Sequence, residues 1–475
     1  LISASLIFAD EVADAVMEPT TAPATQASEQ SVTGGGELFP DATPANILNV
    51  TREVFPAVVR LDVAAETFAE GKRTMQRGIG SGVIFDSDGH ILTNYHVAGR
   101  AVEIFVTLSN KERVRGKLIG DDHWTDLAIV QMDMDEVKKK GFSFVHAELG
   151  TSRNLVTGQD VIAIGTPFGL ARTLTLGVVS NTERTFYPER QDIDGYETGE
   201  FNNWIQMDTP IAPGNSGGPL VDLDAKVVGV NTRGVQGQSL NFAIPIDVAR
   251  PVIEQILSTS TPEKKGRVTR SYVGIDFRPL QDLESFYSID INKGALISTV
   301  DRGSPAYKAG LKPQDILLSI NGQPTNVRFP EEVALTRNVL ATLPLEEDVT
   351  LQILRGSEPM EMKFHPVKLE SRQGDERELS AWGMSVRDVT LPLSIERRLD
   401  DDLGVMVTSV QSGFAAENAE IQSGDVIRKV NGKVIENLEA LGTIYDESVA
   451  NKDEQVLVEV KRGRGVRSAL LKLKK

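Results

Sequence analysis

The stretch Ala309-Gly310-Leu311-Lys312-Pro313-Gln314-Asp315-Ile316-Leu317-Leu318-Ser319-Ile320-Asn321-Gly322 recurs in pattern as Ala419-Glu420-Ile421-Gln422-Ser423-Gly424-Asp425-Val426-Ile427-Arg428-Lys429-Val430-Asn431-Gly432, at a constant offset of 110 residues. Each copy reads as a helix end, an aspartate, an apolar run of strand length and an Asn-Gly pair. Asn-Gly after an apolar run signals a hairpin turn, because both residues tolerate positive φ. Solenoid units are about 20–45 residues long, so a period of 110 residues is a whole small domain. The C-terminal part of the chain is therefore a tandem pair, with the charged run 370–378 as its connector.

Upstream, the texture is that of short strands. Segments 58–63, 102–108 and 225–230 alternate or run apolar at strand length, and turn residues separate them. Many short strands with turn signals predict a mainly β fold, a barrel or a sandwich. Residues 64–79 and 183–203 read as loops, the second carrying Tyr187, Pro188 and several acidic groups. Helical periodicity is found only at 246–256, and the polar, Pro- and Gly-bearing stretch after it is a linker.

Within this region lies Asp208-Thr209-Pro210-Ile211-Ala212-Pro213-Gly214-Asn215-Ser216-Gly217-Gly218-Pro219-Leu220-Val221. Gly214 and Gly217 allow a tight turn with the Ser216 hydroxyl at its tip. Alone, the stretch also reads as an ordinary glycine-rich hairpin loop. A serine becomes a nucleophile when a base takes its proton and a third group orients that base. His96 ends the apolar segment Ile91-Leu92-Thr93-Asn94-Tyr95-His96-Val97, and Asp126 opens Leu127-Ala128-Ile129-Val130. The order His96, Asp126, Ser216 is that of chymotrypsin rather than subtilisin or the α/β-hydrolases. His90, His123, His146 and His365 lie in turns, polar loops or strand ends and read as surface or structural groups.

Several function classes drop out. A net charge of −17 without a long basic run argues against nucleic acid as a main partner. The absence of cysteine excludes disulfides, a thiol nucleophile and thiolate metal sites. No Gly-x-x-x-x-Gly-Lys-Ser/Thr motif points to ATP-driven work. No cofactor and no metal are expected.

The stretches Gly80-Ser81-Gly82-Val83-Ile84-Phe85, Thr93-Asn94-Tyr95-His96-Val97, Thr125-Asp126-Leu127-Ala128-Ile129-Val130, the Gly-Thr-Pro-Phe-Gly-Leu run at 165–170, Gly214-Asn215-Ser216-Gly217-Gly218-Pro219 and Asn241-Phe242-Ala243-Ile244-Pro245 together resemble the HtrA/Deg family of serine proteases. The match runs from about residue 46 to the C-terminus, in that family's order. The resemblance implies a chymotrypsin-like double β-barrel followed by two PDZ domains, with the catalytic triad in the cleft between the barrels. It implies an oxyanion hole at Gly214, Asn215 and Ser216, chiefly the amides of Gly214 and Ser216, and loops that regulate the site. Trypsin-type enzymes carry an acid six positions before the serine, where this chain has Pro210. An apolar pocket of Ile211, Ala212 and Val230, and cleavage after small or medium aliphatic residues, is the expectation. Such residues are buried in folded proteins, so this preference suits a protease of misfolded chains.

The tandem pair resembles PDZ domains, in which a peptide adds a strand to a sheet edge and a backbone nest holds its carboxylate. The matching loop is Tyr272-Val273-Gly274-Ile275 in the first copy and Trp382-Gly383-Met384-Ser385 in the second. The second departs from the pattern, and Glu420 replaces the glycine at 310, which leaves open a packing or assembly role. The expected order is a residual signal-peptide segment (1–9), a disordered tether (10–45), the protease domain (46–257), a linker (258–270), PDZ domain 1 (271–369), a linker (370–378) and PDZ domain 2 (379–475). The apolar start, too short to span a bilayer, points to a periplasmic or otherwise extracytoplasmic protein. The expected partners are unfolded polypeptides, C-terminal peptides and further copies of the chain in trimers. Two alternatives are a holdase chaperone or PDZ scaffold with a latent site, and a signalling protease making one regulated cut.

Overall fold

The computed structural model describes residues 39–473 apart from 168–171, 186–190, 194–195, 236–238, 281–292 and 372. The segment 1–9, the tether as far as 38, Phe168–Leu170 of the 165–170 motif, and Tyr187 and Pro188 lie outside the described residues.

The first element corrects the helix reading. Helix α1 (Pro44–Val54) begins within the stretch expected to be a tether, with Pro44 in its first turn and the Thr43 hydroxyl accepting the Asn46 N–H at 3.2 Å. Only Val50 and Val54 of this helix are fully buried, a stripe too narrow to register as helical periodicity.

Six strands follow: β1 (Val58–Ala69), β2 (Lys72–Ile84), β3 (His90–Thr93), β4 (Ala101–Thr107), β5 (Arg113–Asp122) and β6 (Leu127–Met132). They pair in the order β5-β4-β1-β2-β3-β6, and β6 closes back on β5. Leu61, Ile84, Ile91, Val106 and Val130 fill this barrel. The second barrel is also closed, in the order β11-β14-β13-β12-β7-β8. Its strands are β7 (Asp160–Gly165), β8 (Thr173–Arg184), β11 (Trp204–Met207), β12 (Pro219–Val221), β13 (Val227–Val235) and β14 (Leu240–Pro245), with a short hairpin of β9 (Gln191–Ile193) and β10 (Tyr196–Thr198) in between. Helix α4 (Ile246–Thr259) seals the barrels with Ile246, Ala249, Val252, Ile253 and Ile256; the short helices α2 (Tyr95–Ala98) and α3 (Met134–Lys140) belong to the first barrel.

Residues 64–79, expected as a loop, are instead the outer half of a long β1–β2 hairpin. Its register runs unbroken from Val58↔Val83 to Ala69↔Lys72. Glu70 and Gly71 turn it with φ of 52° and 72°, the signature of a tight type I′ turn. Both faces of its outer β2 half are exposed, so no hydrophobic alternation marked it as strand.

The 258–270 segment is stitched to the first barrel. Strand β15 (Gly266–Arg267) pairs in parallel with β5, Gly266 opposite Gly120. Arg270 then makes a buried 2.7 Å ion pair with Asp122.

The two small domains repeat one plan. In the first, β16 (Ser271–Tyr272) pairs with β23 (Val367–Lys368), and the sheet runs β17 (Ile275–Arg278), β18 (Ala295–Val300), β19 (Ile316–Ile320), β21 (Val349–Arg355), β22 (Glu358–Phe364), with β20 (Gln323–Pro324) beside β19. Helices α5 (Pro305–Lys308) and α6 (Glu331–Ala341) complete it. In the second, the order is β24 (Glu376–Leu379), β25 (Met384–Asp388), β26 (Val405–Val410), β27 (Val426–Val430), β29 (Gln455–Arg462), β30 (Gly465–Lys472), with β28 (Lys433–Val434) beside β27. Its helices are α7 (Leu391–Glu396), α8 (Ala415–Asn418) and α9 (Leu438–Asn451). The repeated aspartates, each 1% exposed, take a fork from one arginine: Asp315 from Arg355 at 2.7 Å and Asp425 from Arg462 at 2.6 and 2.7 Å. Asn321 and Asn431 open positive-φ turns, and their side chains accept the amides of Thr350 and Leu457 at 2.8 and 2.9 Å.

Asp121, opposite Arg267 in the β5–β15 ladder, is pushed up to about 6 by burial, against the opposing charges of Lys265 and Arg267. A carboxyl raised above its unfolded value of about 3.9 weakens the fold at neutral pH, and the loss is relieved as pH falls through 6 toward 4. Asp121→Asn is expected to raise Tm by a few degrees near neutral pH and to flatten the Tm–pH profile between about 4 and 6, as read by thermal unfolding.

Candidate active site

The site is assembled where three backbone turns meet. β3 pairs with β6 as far as Thr93↔Ala128, which sets the residues after Thr93 beside the residue before Leu127. There Asp126 adopts a left-handed φ of 59°. Its carbonyl accepts the Tyr95 amide and the Asn94 side-chain amide, both at 3.0 Å, fixing α2. His96, on that single turn, directs Nδ1 at both Asp126 carboxylate oxygens at 2.9 Å.

The Asp126 carboxylate is 1% exposed and receives two more donors. The His96 amide donates to Oδ1 at 3.1 Å, and the Thr232 hydroxyl of β13 donates to Oδ2 at 2.7 Å. Burial pushes this carboxyl up, but the His96 charge and the hydrogen bonds from His96 and Thr232 outweigh it and hold it below the ordinary carboxylate range. Its contribution to stability is thus present above the unfolded value of about 3.9 and is lost only as pH falls through the lower folded value. An ionised carboxylate on Nδ1 leaves Nε2 as the basic edge of the ring.

Ser216 stands on a turn with Pro213 and Gly214 at its corner. Gly214 has φ 101°, and the Asn215 amide closes the turn onto the Ala212 carbonyl at 2.9 Å, a type II pattern. The Asn215 N–H is therefore engaged. Among the described residues, the amides of Gly214 and Ser216 donate to no protein acceptor. The Ser216 hydroxyl donates to the Thr232 carbonyl at 2.8 Å. A Cβ on Gly217 would lie 2.2 Å from the Ser81 carbonyl and from Thr93 Oγ1, so only glycine fits there.

Sequence reasoning gave Ser81 no role of its own. Its amide donates to the Ser216 carbonyl at 2.9 Å, and its hydroxyl donates to the Gly214 carbonyl at 2.6 Å. That hydroxyl also accepts the Thr166 amide at 2.8 Å from the second barrel, and Ser81 is fully buried. One serine of β2 thus clamps the backbone on both sides of the serine turn. The signal was the serine between Gly80 and Gly82, two glycines beside a small buried donor.

The pocket residues separate. Val230 lies wholly buried in the core that joins the barrels, whereas Ile211 packs half-buried against the interior of the second. Near Ile211 the structure brings Asn241, whose side chain accepts the Ile211 amide at 3.3 Å, and Gly234, where a Cβ would lie 3.5 Å from Ile211 Cβ. Ala212 closes the Ser216 turn through its carbonyl.

In the first small domain Tyr272, Val273, Gly274 and Ile275 border a cavity of about 570 Å³ that reaches Arg337 and Leu340 of α6, and also Trp124 and Phe201 of the barrel region. The Tyr272 hydroxyl donates to Asp301 at 2.6 Å, and burial together with that carboxylate pushes its phenol well above its ordinary range. In the second, Trp382 and Met384 are core side chains, both 0% exposed, and Gly383 turns with φ 75°.

Residues 80–230 match the trypsin-like peptidase domain, and residues 296–355 and 380–473 each match a PDZ domain. Over 411 residues the chain is 33% identical to the probable periplasmic serine endoprotease DegP-like of Chlamydia trachomatis serovar D, covering 85% of this chain and 76% of that protein. A protein of the same name from Marinomonas sp. (strain MWYL1) is 35% identical over 378 residues, covering 77% and 73%. Among solved structures, the HtrA-type protease AlgW with tripeptide is similar, with a TM-score of 0.56 and 28% identity over 68% of this chain and 97% of that one.

Ser81→Ala removes the hydroxyl that holds the Gly214 carbonyl without touching substrate. The expected outcome is a kcat about 10- to 100-fold lower with KM moved less than about threefold. Steady-state kinetics well below the variant's Tm checks it, and Ser81→Thr, which keeps the hydroxyl, is expected to recover part of the rate.

Proposed function

The chain belongs to the DegP-like family of HtrA-type serine endoproteases, and on that premise we propose that it degrades misfolded polypeptides outside the cytoplasm, without ATP, under the control of peptides bound to its first PDZ domain. In this reading Ser216 attacks the peptide carbonyl, and His96 Nε2 takes its proton and returns it to the leaving amine. Asp126 holds the imidazole by Nδ1 and stabilises its cation. The Gly214 and Ser216 amides receive the oxyanion, each donor contributing about 3 kcal/mol to the barrier lowering. Water then releases the acyl group by the same steps in reverse. The observation that carries the reading is the His96 Nδ1–Asp126 contact at 2.9 Å beside a serine turn with two undonated amides.

The proposed substrate class rests on the pocket and the fold. Pro210 stands where a basic-specific enzyme needs an acid, and Ile211, Gly234 and Asn241 leave an uncharged wall. Cleavage after Val, Ala or Ile is the proposed preference, and such residues are exposed when a protein unfolds. Among the described residues no helix is long and apolar enough to cross a membrane. The extracytoplasmic setting is supported by the relatives' names, which call them periplasmic.

Control by peptide is supported by the cavity beside Tyr272, which is walled by both the peptide loop and Trp124–Phe201, whose rings meet at 5.5 Å. A peptide docked there touches the barrel region directly, and it shifts that region by as much as it binds one arrangement better than another.

Cleavage of an unfolded, cysteine-free reporter without ATP tests the proposal. Ser216→Ala and His96→Ala are expected to lose roughly a million-fold in turnover, and Asp126→Ala less. Mass spectrometry is expected to find cuts after aliphatic residues, and a peptide with an apolar C-terminus to raise kcat. Equal residual activity in the wild type and Ser216→Ala, with aggregation of the reporter suppressed, would instead favour a holdase.

A further inference from the structure

The two PDZ domains present equivalent peptide loops but not equivalent peptide edges. In the first, the Gly274 and Val273 carbonyls accept the amides of Asp301 and Ala306 at 2.9 and 3.1 Å. In the second, the Gly383 and Trp382 carbonyls accept those of Gln411 and Ala416 at 2.8 and 2.9 Å. The match of these bonds, and of φ at Gly274 (80°) and Gly383 (75°), identifies Val273-Gly274-Ile275 with Trp382-Gly383-Met384.

The strands before these loops go different ways. In the first domain Ser271–Tyr272 turns away to pair with β23, and β17 is the outermost strand of its sheet among the described residues. In the second, Glu376–Leu379 lies antiparallel on the outer edge of β25, with Glu376↔Arg387, Arg377↔Val386, Glu378↔Ser385 and Leu379↔Met384. That is the edge and the direction a PDZ ligand takes.

Each feature of a bound peptide has a counterpart in this segment. The Leu379 carbonyl accepts the amides of Trp382 and Gly383 at 3.0 and 2.9 Å, as a terminal carboxylate would. The Leu379 side chain is 0% exposed and packs with Trp382, Leu441 and Tyr445, as a ligand's last residue fills its pocket. Arg377 reaches the facing helix α9, paired with Asp446 at 2.6 Å and lying 5.5 Å from the Tyr445 ring. Glu376 is held by Arg387 at 2.8 Å.

We propose that the second PDZ domain is internally liganded: residues Glu376–Leu379 occupy its recognition edge, and an external peptide binds only when they are displaced. Because the segment is tethered, its effective concentration is of millimolar order, and a free peptide must exceed that to compete. The same segment touches the β1–β2 hairpin, whose Arg73 amide donates to Glu378 at 3.2 Å while the Gly71 amide donates to Ser409 of β26 at 2.8 Å. Displacement of β24 therefore also breaks a contact with the strand that carries Ser81.

The test uses the full chain as Ser216→Ala, so that the probe survives. A fluorescent peptide ending in two valines is titrated by anisotropy and calorimetry, with hydrogen exchange followed in the same samples. The expected result is one peptide per chain, with exchange slowed at 273–278 and unchanged at 384–388. Arg377→Glu, which sets a repulsive pair against Asp446, is expected to speed exchange at 376–379 and to gain a second site that binds the peptide at least about tenfold more tightly than the second domain of its parent does. Two peptides on the parent chain with slowed exchange at 384–388 would overturn the proposal. So would absence of a second site in Arg377→Glu once exchange at 376–379 has risen.

Discussion

A carboxylate buried to 1% exposure stays ionised only if enough donors converge on it. Asp126 collects them from two separate parts of the chain. Two come from α2 of the first barrel and one from Thr232 on β13 of the second. The requirement fixes how closely the barrels approach and how they are turned. It also couples the histidine to the serine, because Thr232 gives its hydroxyl to Asp126 and its carbonyl to Ser216. A shift of either barrel would take away the Thr232 hydroxyl and leave the buried charge with the His96 donors alone.

The Ser81 clamp is the neutral counterpart of that arrangement. It fastens the serine turn by backbone groups, so the turn does not rely on its own glycines to keep one conformation. Because Ser81 is continuous with the β1–β2 hairpin, the inner end of one strand pair supports the turn while its outer end rests on the second PDZ domain. The outer hairpin thus lies between the second PDZ domain and the serine turn.

The duplicated domains illustrate how one plan acquires two states. Their shared aspartate forks and Asn-Gly turns are local and survive duplication unchanged. The segments preceding the peptide loops are not constrained by those contacts. In one domain that segment joins a C-terminal strand and leaves the edge of β17 unpaired among the described residues. In the other it pairs with β25, protecting an edge that would otherwise be open to any extended chain.

What the sequence determined by itself was everything encoded by short-range pattern. The strand-rich texture, the tandem repeat, and the order of His96, Asp126 and Ser216 were legible because turns and alternation are properties of neighbouring residues. The long hairpin was not legible, since its outer part is exposed on both faces and carries no hydrophobic period. Helix α1 was missed because two buried valines are too few to make a stripe. Nor could the sequence separate Val230 from Ile211, because one sits on β13 and the other on the loop before Ser216, and the core each joins is set by where those segments pack. Only the tertiary structure decided that Ser81 clamps the serine turn, that Asn215 closes it, and that residues 376–379 pair with the outer edge of β25. Each of these depends on a hydrogen bond or strand pairing whose partner is chosen by where the chain returns in space, and residue type alone does not specify that return.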